Sequence, residues 1–222
     1  MTRGLLFDLD GTLVDTAPDL VGALFAACDE FGAERPEFER AREQVANGGA
    51  GLVALAFANA DAAVQQAAYD TLLRHYGANI AQGSRLYPAW QSALPSIGVP
   101  WGVVTNKPQA LAEQLFAALA IDRHRCMIGG DLLNSKKPAP EPLVYAAGRL
   151  GALPQHCAYV GDHARDIQAA RAAGMYSIAA AYGYVVNGDD PAHWGADVIC
   201  HSDTEAVAAA KAWLAGDVGV AS

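Results

Sequence analysis

The chain has 222 residues, 52 % apolar and 18 % charged, which supplies a sizeable core and too little charge for a disordered chain. A formal net charge of −9 disfavours nucleic acid and anionic membrane as partners, and no apolar run approaches the ~20 residues of a membrane span. Four cysteines, Cys28, Cys126, Cys157 and Cys200, stand far apart without zinc-ligand spacing, and read as reduced, mostly buried thiols of a cytoplasmic protein.

In chain order, Gly4–Phe7, Trp101–Val104, Cys126–Ile128, Ala158–Val160 and Tyr176–Ala179 are short apolar runs without clean alternation. That is the pattern of strands covered on both faces. Helical stretches are expected near 89–97, 109–120, 140–150, 164–173 and 203–214, the last with a Ser202/Glu205 capping box. Strand and helix alternating in this way predict an α/β fold, a Rossmann-like parallel sheet. One stretch breaks the rhythm. Leu20, Leu24, Ala27 and Phe31 repeat at helical spacing, as do Leu52, Leu55, Ala56 and Asn59, and 62–76 is a third amphipathic stretch. Residues 16–83 are therefore expected to form an all-helical cap domain inserted into a discontinuous core of 1–15 and 84–222.

Four segments carry candidate chemistry. Asp8 and Asp10 sit two apart at the end of the first strand, so their carboxylates should leave on one face. Two acids held together near a core repel one another unless a divalent cation relieves them. Gly11 and Thr12 follow as a tight turn whose N–H groups can face an anion. Thr105-Asn106-Lys107 follows the second long strand and offers a hydroxyl, an amide and an ammonium for phosphate oxygens. Lys136-Lys137-Pro138-Ala139-Pro140 holds lysines in a stiff segment. Gly161-Asp162-His163-Ala164-Arg165-Asp166 follows another strand, with Asp166 at i+4 from Asp162. Carboxylates of this kind, with water, suit Mg²⁺. Read singly, each segment is also an ordinary turn, loop or helix cap. Together they converge on the carboxyl ends of the strands, where open α/β sheets bind ligands.

These residues resemble the haloacid dehalogenase-like hydrolase superfamily. Its Asp-x-Asp-Gly-Thr, its Thr or Ser after a strand, its Lys and its Gly-Asp-x-x-x-Asp all occur here in order. The resemblance implies an aspartyl-phosphate mechanism with Mg²⁺ as cofactor. Asp8 would be the nucleophile and a metal ligand, and Asp10 the general acid–base and a ligand through its carbonyl. Asp162 and Asp166 would complete the metal site. Lys137, chosen over Lys136 because it directly precedes Pro-x-Pro, would hold the phosphoryl group with Thr105, and Gly11, Thr12 and Asn106 would add phosphate contacts.

Closer still, Asp15-Thr16-Ala17-Pro18-Asp19-Leu20, Val104–Pro108 and Lys136-Lys137-Pro138 look like phosphoglycolate phosphatases. Trp101–Pro108 and Ala181–Asp197 also resemble bacterial N-acetylmuramate 6-phosphate phosphatases. The expected partner is a small phosphorylated metabolite, best guess 2-phosphoglycolate, acted on by a monomer or homodimer. Asn47-Gly48-Gly49-Ala50-Gly51 is expected to be a flexible, donor-rich cap loop, with Gly48 and Gly49 at the substrate, and the Tyr182–Trp194 region either walls the cleft or is a surface loop. A dehalogenase would lack Asp10. A β-phosphoglucomutase-like phosphomutase would keep it, and a non-catalytic phospho-ligand-binding module would not need it.

Overall fold

Gly4–Phe7 is buried on both faces. Leu5 and Phe7 turn into one core cluster while Leu6 turns into another, so a run without polar positions is what this strand requires. In the computed structural model, which describes residues 2–217, this strand is β1 and lies at the centre of the sheet. On one side lie β4 (Trp101–Val104) and β5 (Cys126–Ile128). On the other lie β6 (Cys157–Gly161), β7 (Tyr176–Ala180) and β8 (Val198–Cys200). The order is β5-β4-β1-β6-β7-β8, and every pairing is parallel. The strand order reverses at β1, so the ends of β4, β1 and β6 open onto one crevice.

Helices α5 (Pro88–Ala93), α6 (Gln109–Ala118), α7 (Glu141–Leu150), α8 (Ala164–Ala172) and α9 (Asp203–Ala215) accompany these strands. The sixth strand, β8, was not among those expected. It is three residues long and its first two are half-buried, so it leaves little periodic signal. The capping box expected at Ser202 is only half formed. Ser202 Oγ accepts the Glu205 N–H at 3.2 Å, but the Glu205 carboxylate takes the His201 N–H at 2.7 Å. A reciprocal box closes α8 instead, with His163 Nδ1 accepting the Arg165 N–H and Asp166 accepting the His163 N–H.

Between β2 (Val14–Asp15) and β3 (Arg85–Leu86) stand four helices, α1 (Ala17–Phe31), α2 (Phe38–Gln44), α3 (Gly48–Ala56) and α4 (Ala62–Ala78). They bury a cluster of their own around Leu20, Leu24, Leu52, Leu72 and Tyr76. Phe31 departs from its expected inward face. It is 40 % exposed and packs edge-on against Phe57. Asn59 lies beyond the end of α3 rather than on its stripe. Asn47–Gly51 is not a flexible loop, since α3 begins at Gly48. Glycine propensity argues against a helix there, but packing overrides it: a Cβ on Gly49 would lie 3.0 Å from the Tyr69 ring of α4.

The chain enters and leaves this helical segment through the antiparallel pair β2–β3, Val14 opposite Leu86 and Asp15 opposite Arg85. A side-chain clasp reinforces the two crossings. Asp19 accepts from the Gly83 N–H at 2.6 Å, the Ser84 N–H at 2.9 Å and the Ser84 hydroxyl at 2.5 Å. Among the described residues no helix is long and apolar enough to cross a membrane. Replacing Asp19 with Ala strands the donors of the buried Ser84. Asp19→Ala is expected to lower unfolding stability by about 2 kcal/mol, read as a drop in the urea midpoint. An unchanged midpoint would show that the clasp contributes nothing.

Candidate active site

Asp8 leaves β1 with its N–H donated to Val160 O at 2.8 Å, which fixes its backbone against β6. Its Oδ1 lies 2.8 Å from Lys137 Nζ and accepts the Leu9 N–H at 2.7 Å. The Lys137 ammonium also lies 2.7 Å from Asp166 Oδ1 and donates to the Tyr159 hydroxyl at 2.8 Å, which in turn donates to Val104 O. Asp162 follows β6. One of its oxygens accepts the Tyr184 N–H at 2.8 Å and the other the Thr12 hydroxyl at 3.2 Å.

Oxygens of Asp8, Asp162 and Asp166 all lie within 4.8 Å of one another. Three acids face one ammonium, and the electrostatics record the imbalance. Burial raises the Asp8 carboxyl to about 6, against the pull of Lys137 and with a push from Asp166. Burial, Asp8 and Asp166 drive Asp162 well above the carboxylate range. Burial pulls Lys137 down, but Asp166 and Asp8 outweigh it and leave the ammonium more basic than usual. The buried Asp166 Oδ1 receives no aligned hydrogen bond. An oxygen-only cluster of three acids with one ammonium between them is the donor set of a hard divalent cation, so these residues fit a metal site.

Asp10 sits apart from this trio. Its Oδ1 accepts the Lys107 ammonium at 2.9 Å and the Thr16 hydroxyl at 2.6 Å. Asp8 and Asp10 thus line one cavity in two different environments. That cavity, about 200 Å³, lies between the sheet's carboxyl ends and helices α3 and α4. Thr105, Asn106, Lys137, Asp162, Gly48 and Gly49 also line it.

Several expected phosphate contacts are committed elsewhere. The Gly11 N–H donates to Val14 O at 2.9 Å. Thr12 is fully buried, its hydroxyl holding Asp162. Gly11 adopts φ +80, and a Cβ there would collide with Asp162 Oδ2 and lie 2.7 Å from the Tyr184 ring. Both residues therefore shape the Asp162 site from behind, and neither lines the cavity. Asn106 exchanges two hydrogen bonds with the Lys137 backbone, at 3.0 and 3.1 Å, and so aims the lysine. Thr105 Oγ1 accepts the Lys107 N–H at 3.2 Å and stays at the cavity edge.

The Tyr182–Trp194 region does not wall the cavity. Tyr182 donates to Thr12 O, and Trp194 stacks on His163. Tyr184 reaches under the site to the start of α1, accepting the Thr16 and Ala17 N–H groups and donating to Asp15. The hydroxyls of Tyr159, Thr16 and Tyr184 hold the site in ways that composition and spacing do not reveal, although Thr16 and Tyr184 lie in segments the sequence draws attention to.

The family model of haloacid dehalogenase-like hydrolases matches residues 5–180, and the chain belongs to that family. It is 43 % identical over 202 residues to a phosphoglycolate phosphatase of Xanthomonas campestris pv. campestris strain 8004, covering 89 % of this chain and 91 % of that one. It is 38 % identical over 210 residues to an N-acetylmuramic acid 6-phosphate phosphatase of Pseudomonas aeruginosa, covering 92 % and 93 %. The crystal structure of a predicted phosphoglycolate phosphatase from Haemophilus somnus 129PT superposes with a TM-score of 0.83 at 29 % identity, covering 94 % and 97 %.

Asp8 gives the metal-free protein a testable pH dependence. Its folded value, about 6, lies above the unfolded 3.8, so the native state holds an extra proton between them. The site costs nothing below pH 3.8 and destabilises progressively as pH rises through 6. A divalent cation removes that cost but competes with the proton. Mg²⁺ at about 100-fold its Kd is expected to raise Tm by roughly 5–10 °C at pH 7.5. Scanning fluorimetry should record a smaller gain at pH 5, and an equal or larger gain there would contradict this picture.

Proposed function

We propose that the protein is a Mg²⁺-dependent phosphomonoesterase working through an aspartyl-phosphate on Asp8. The observation that carries this reading is the division of labour between two neighbouring carboxylates. Asp8 lies in the Lys137–Asp162–Asp166 cluster, while Asp10 lines the same cavity outside that cluster, paired with Lys107 and Thr16. Neighbouring acids in unlike environments suit a nucleophile and a proton carrier.

Asp8, Asp162, Asp166 and the Asp10 carbonyl would hold the cation, which when bound neutralises phosphoryl charge during transfer. An oxygen of Asp8 attacks phosphorus as the ester P–O bond breaks, and Asp10 gives a proton to the departing alkoxide. Water then attacks the phosphoryl group, Asp10 takes its proton, the P–O bond to Asp8 breaks, and inorganic phosphate leaves. Lys137 keeps Asp8 oriented and compensates charge, with Thr105 at the phosphoryl group. We read residues 16–83 as a cap closing over the leaving group, with Gly48 and Gly49 at its tip, and a cytoplasmic enzyme in keeping with four buried free thiols.

The relatives named as phosphoglycolate phosphatases support 2-phosphoglycolate as substrate. The Pseudomonas relatives support N-acetylmuramate 6-phosphate as a second reading. Asp8→Asn is expected to cut Mg²⁺-dependent phosphate release at least ~10³-fold, and EDTA should abolish it. Activity that survives either treatment would overturn the mechanism. A panel of both esters decides between the two substrates, the preferred one showing the higher kcat/KM.

A further inference from the structure

Lys107 is a buried cation with unused capacity. Its side chain is 6 % exposed, yet it lines the cavity. An ammonium has three donors, and Nζ makes one hydrogen bond among the described residues, to Asp10 Oδ1. Its other side faces the Tyr76 ring of α4, 4.3 Å from the centroid. The Tyr76 hydroxyl is itself an anomaly. Tyr76 is 1 % exposed and lines the same cavity, and its oxygen makes no aligned hydrogen bond. A buried hydroxyl without a partner costs about 1–3 kcal/mol, which a hydrogen bond to a bound ligand would recover. The Lys107 ammonium and the Tyr76 hydroxyl stand beside each other on one cavity, and three ammonium donors leave capacity beyond Asp10 and Tyr76, so the pair makes a receptor for a small anion.

Of the other cations lining the cavity, Lys136 is exposed at its mouth, where water competes for its ammonium, and two are engaged within the protein. Lys137 is consumed by Asp8, Asp166 and Tyr159. Arg165 donates to Ala46 O at 2.5 Å. The position of Lys107 relative to Asp10 then sets what the anion can be. If Asp10 hands a proton to the leaving oxygen, that oxygen lies one hydrogen bond from Asp10. Lys107 Nζ, 2.9 Å from Asp10 Oδ1, is then within about 6 Å of it if the same carboxylate oxygen serves both, and within about 8 Å if the other one does. A carboxylate on the carbon that bears the ester oxygen falls inside that span. One across a pyranose ring from its phosphate, as in N-acetylmuramate 6-phosphate, is held several ångströms farther from its ester oxygen and fits that span less well.

We propose that Lys107 and Tyr76 together receive a substrate carboxylate adjacent to the ester oxygen, and so select α-phosphooxy acids of the 2-phosphoglycolate class. This rests on the phosphomonoesterase reading above and assigns its specificity to two residues. One comes from the strand-end segment after β4 and the other from the helical insertion, so the receptor exists only when α4 lies over the sheet.

The test compares kcat/KM of the full-length protein with Mg²⁺ for 2-phosphoglycolate, ethyl phosphate, which lacks the carboxylate, and N-acetylmuramate 6-phosphate. The readout is the ratio between substrates within each variant, which cancels any effect of Lys107 on Asp10. The wild type should favour 2-phosphoglycolate over ethyl phosphate, and Lys107→Met should shrink that preference about 30-fold. Tyr76→Phe, which keeps the ring against the ammonium, should shrink it roughly 5-fold and carries the comparison if the Met variant does not fold. Robust turnover with a ratio that neither variant moves would overturn the receptor while leaving the phosphatase intact. So would a preference for N-acetylmuramate 6-phosphate that Lys107→Met leaves unchanged. A wild type inert toward all three esters would remove the phosphatase reading itself, and the receptor with it.

Discussion

The contact on which the site depends is the Lys137 ammonium among Asp8, Asp166 and Tyr159. It is nearly inaccessible to solvent, so water screens none of its interactions. With Asp162, three carboxylates converge on one cation. Burial first, and then repulsion among these acids, raise the Asp8 and Asp162 carboxyls above the ordinary carboxylate range. The protein tolerates this crowding because the backbone prevents escape. Asp8 is tied to β6, Asp166 caps its own helix, and Asp162 is held by Thr12 and Tyr184. A site so loaded with negative charge favours a hard divalent cation and then the phosphoryl group that the cation attracts.

Sheet topology gathers these pieces. Because the strand order reverses at β1, residues distant in sequence emerge side by side from β4, β1 and β6. The helical insertion is fastened to the same floor. Tyr184 holds Asp162 through its N–H and the start of α1 through its hydroxyl, and Arg42 from α2 pairs with Asp15 at 2.9 Å while lying over the Tyr184 ring. Thr16, the residue before α1, bonds Asp10 directly. The position of the helices over the sheet is thereby linked to both carboxylate environments.

Much of this was legible before any coordinates. Asp8, Asp10, Thr105, Asp162 and Asp166 could be found because each lies at or just after the end of an apolar run, Lys137 only through the resemblance of its Pro-x-Pro context, and topology then brings them together. The five fully buried apolar runs, β1, β4, β5, β6 and β7, were readable for the same reason, whereas β8 is only partly buried. What escaped had no periodic signature. The strands β2 and β3 are two residues each, and β8 is three. The glycine-rich start of α3 reads as a loop because glycine disfavours helix, while its close approach to Tyr69 leaves little room for a larger residue at Gly49. Gly11 and Thr12 were assigned to the phosphate because a turn can present N–H groups, yet here the Gly11 N–H and the Thr12 hydroxyl are spent within the protein. The roles of the tyrosine hydroxyls were not legible because the same residue in a strand or helix serves equally well as plain core.

The central claim is that Asp8, and not its neighbour Asp10, becomes covalently phosphorylated. Borohydride trapping during turnover with 2-phosphoglycolate and Mg²⁺, followed by mass spectrometry of the peptide spanning both residues, tests it directly. The account predicts reductive conversion of Asp8 to homoserine, dependent on both substrate and Mg²⁺. Conversion at Asp10, or a peptide left unmodified while phosphate is being released, would contradict it.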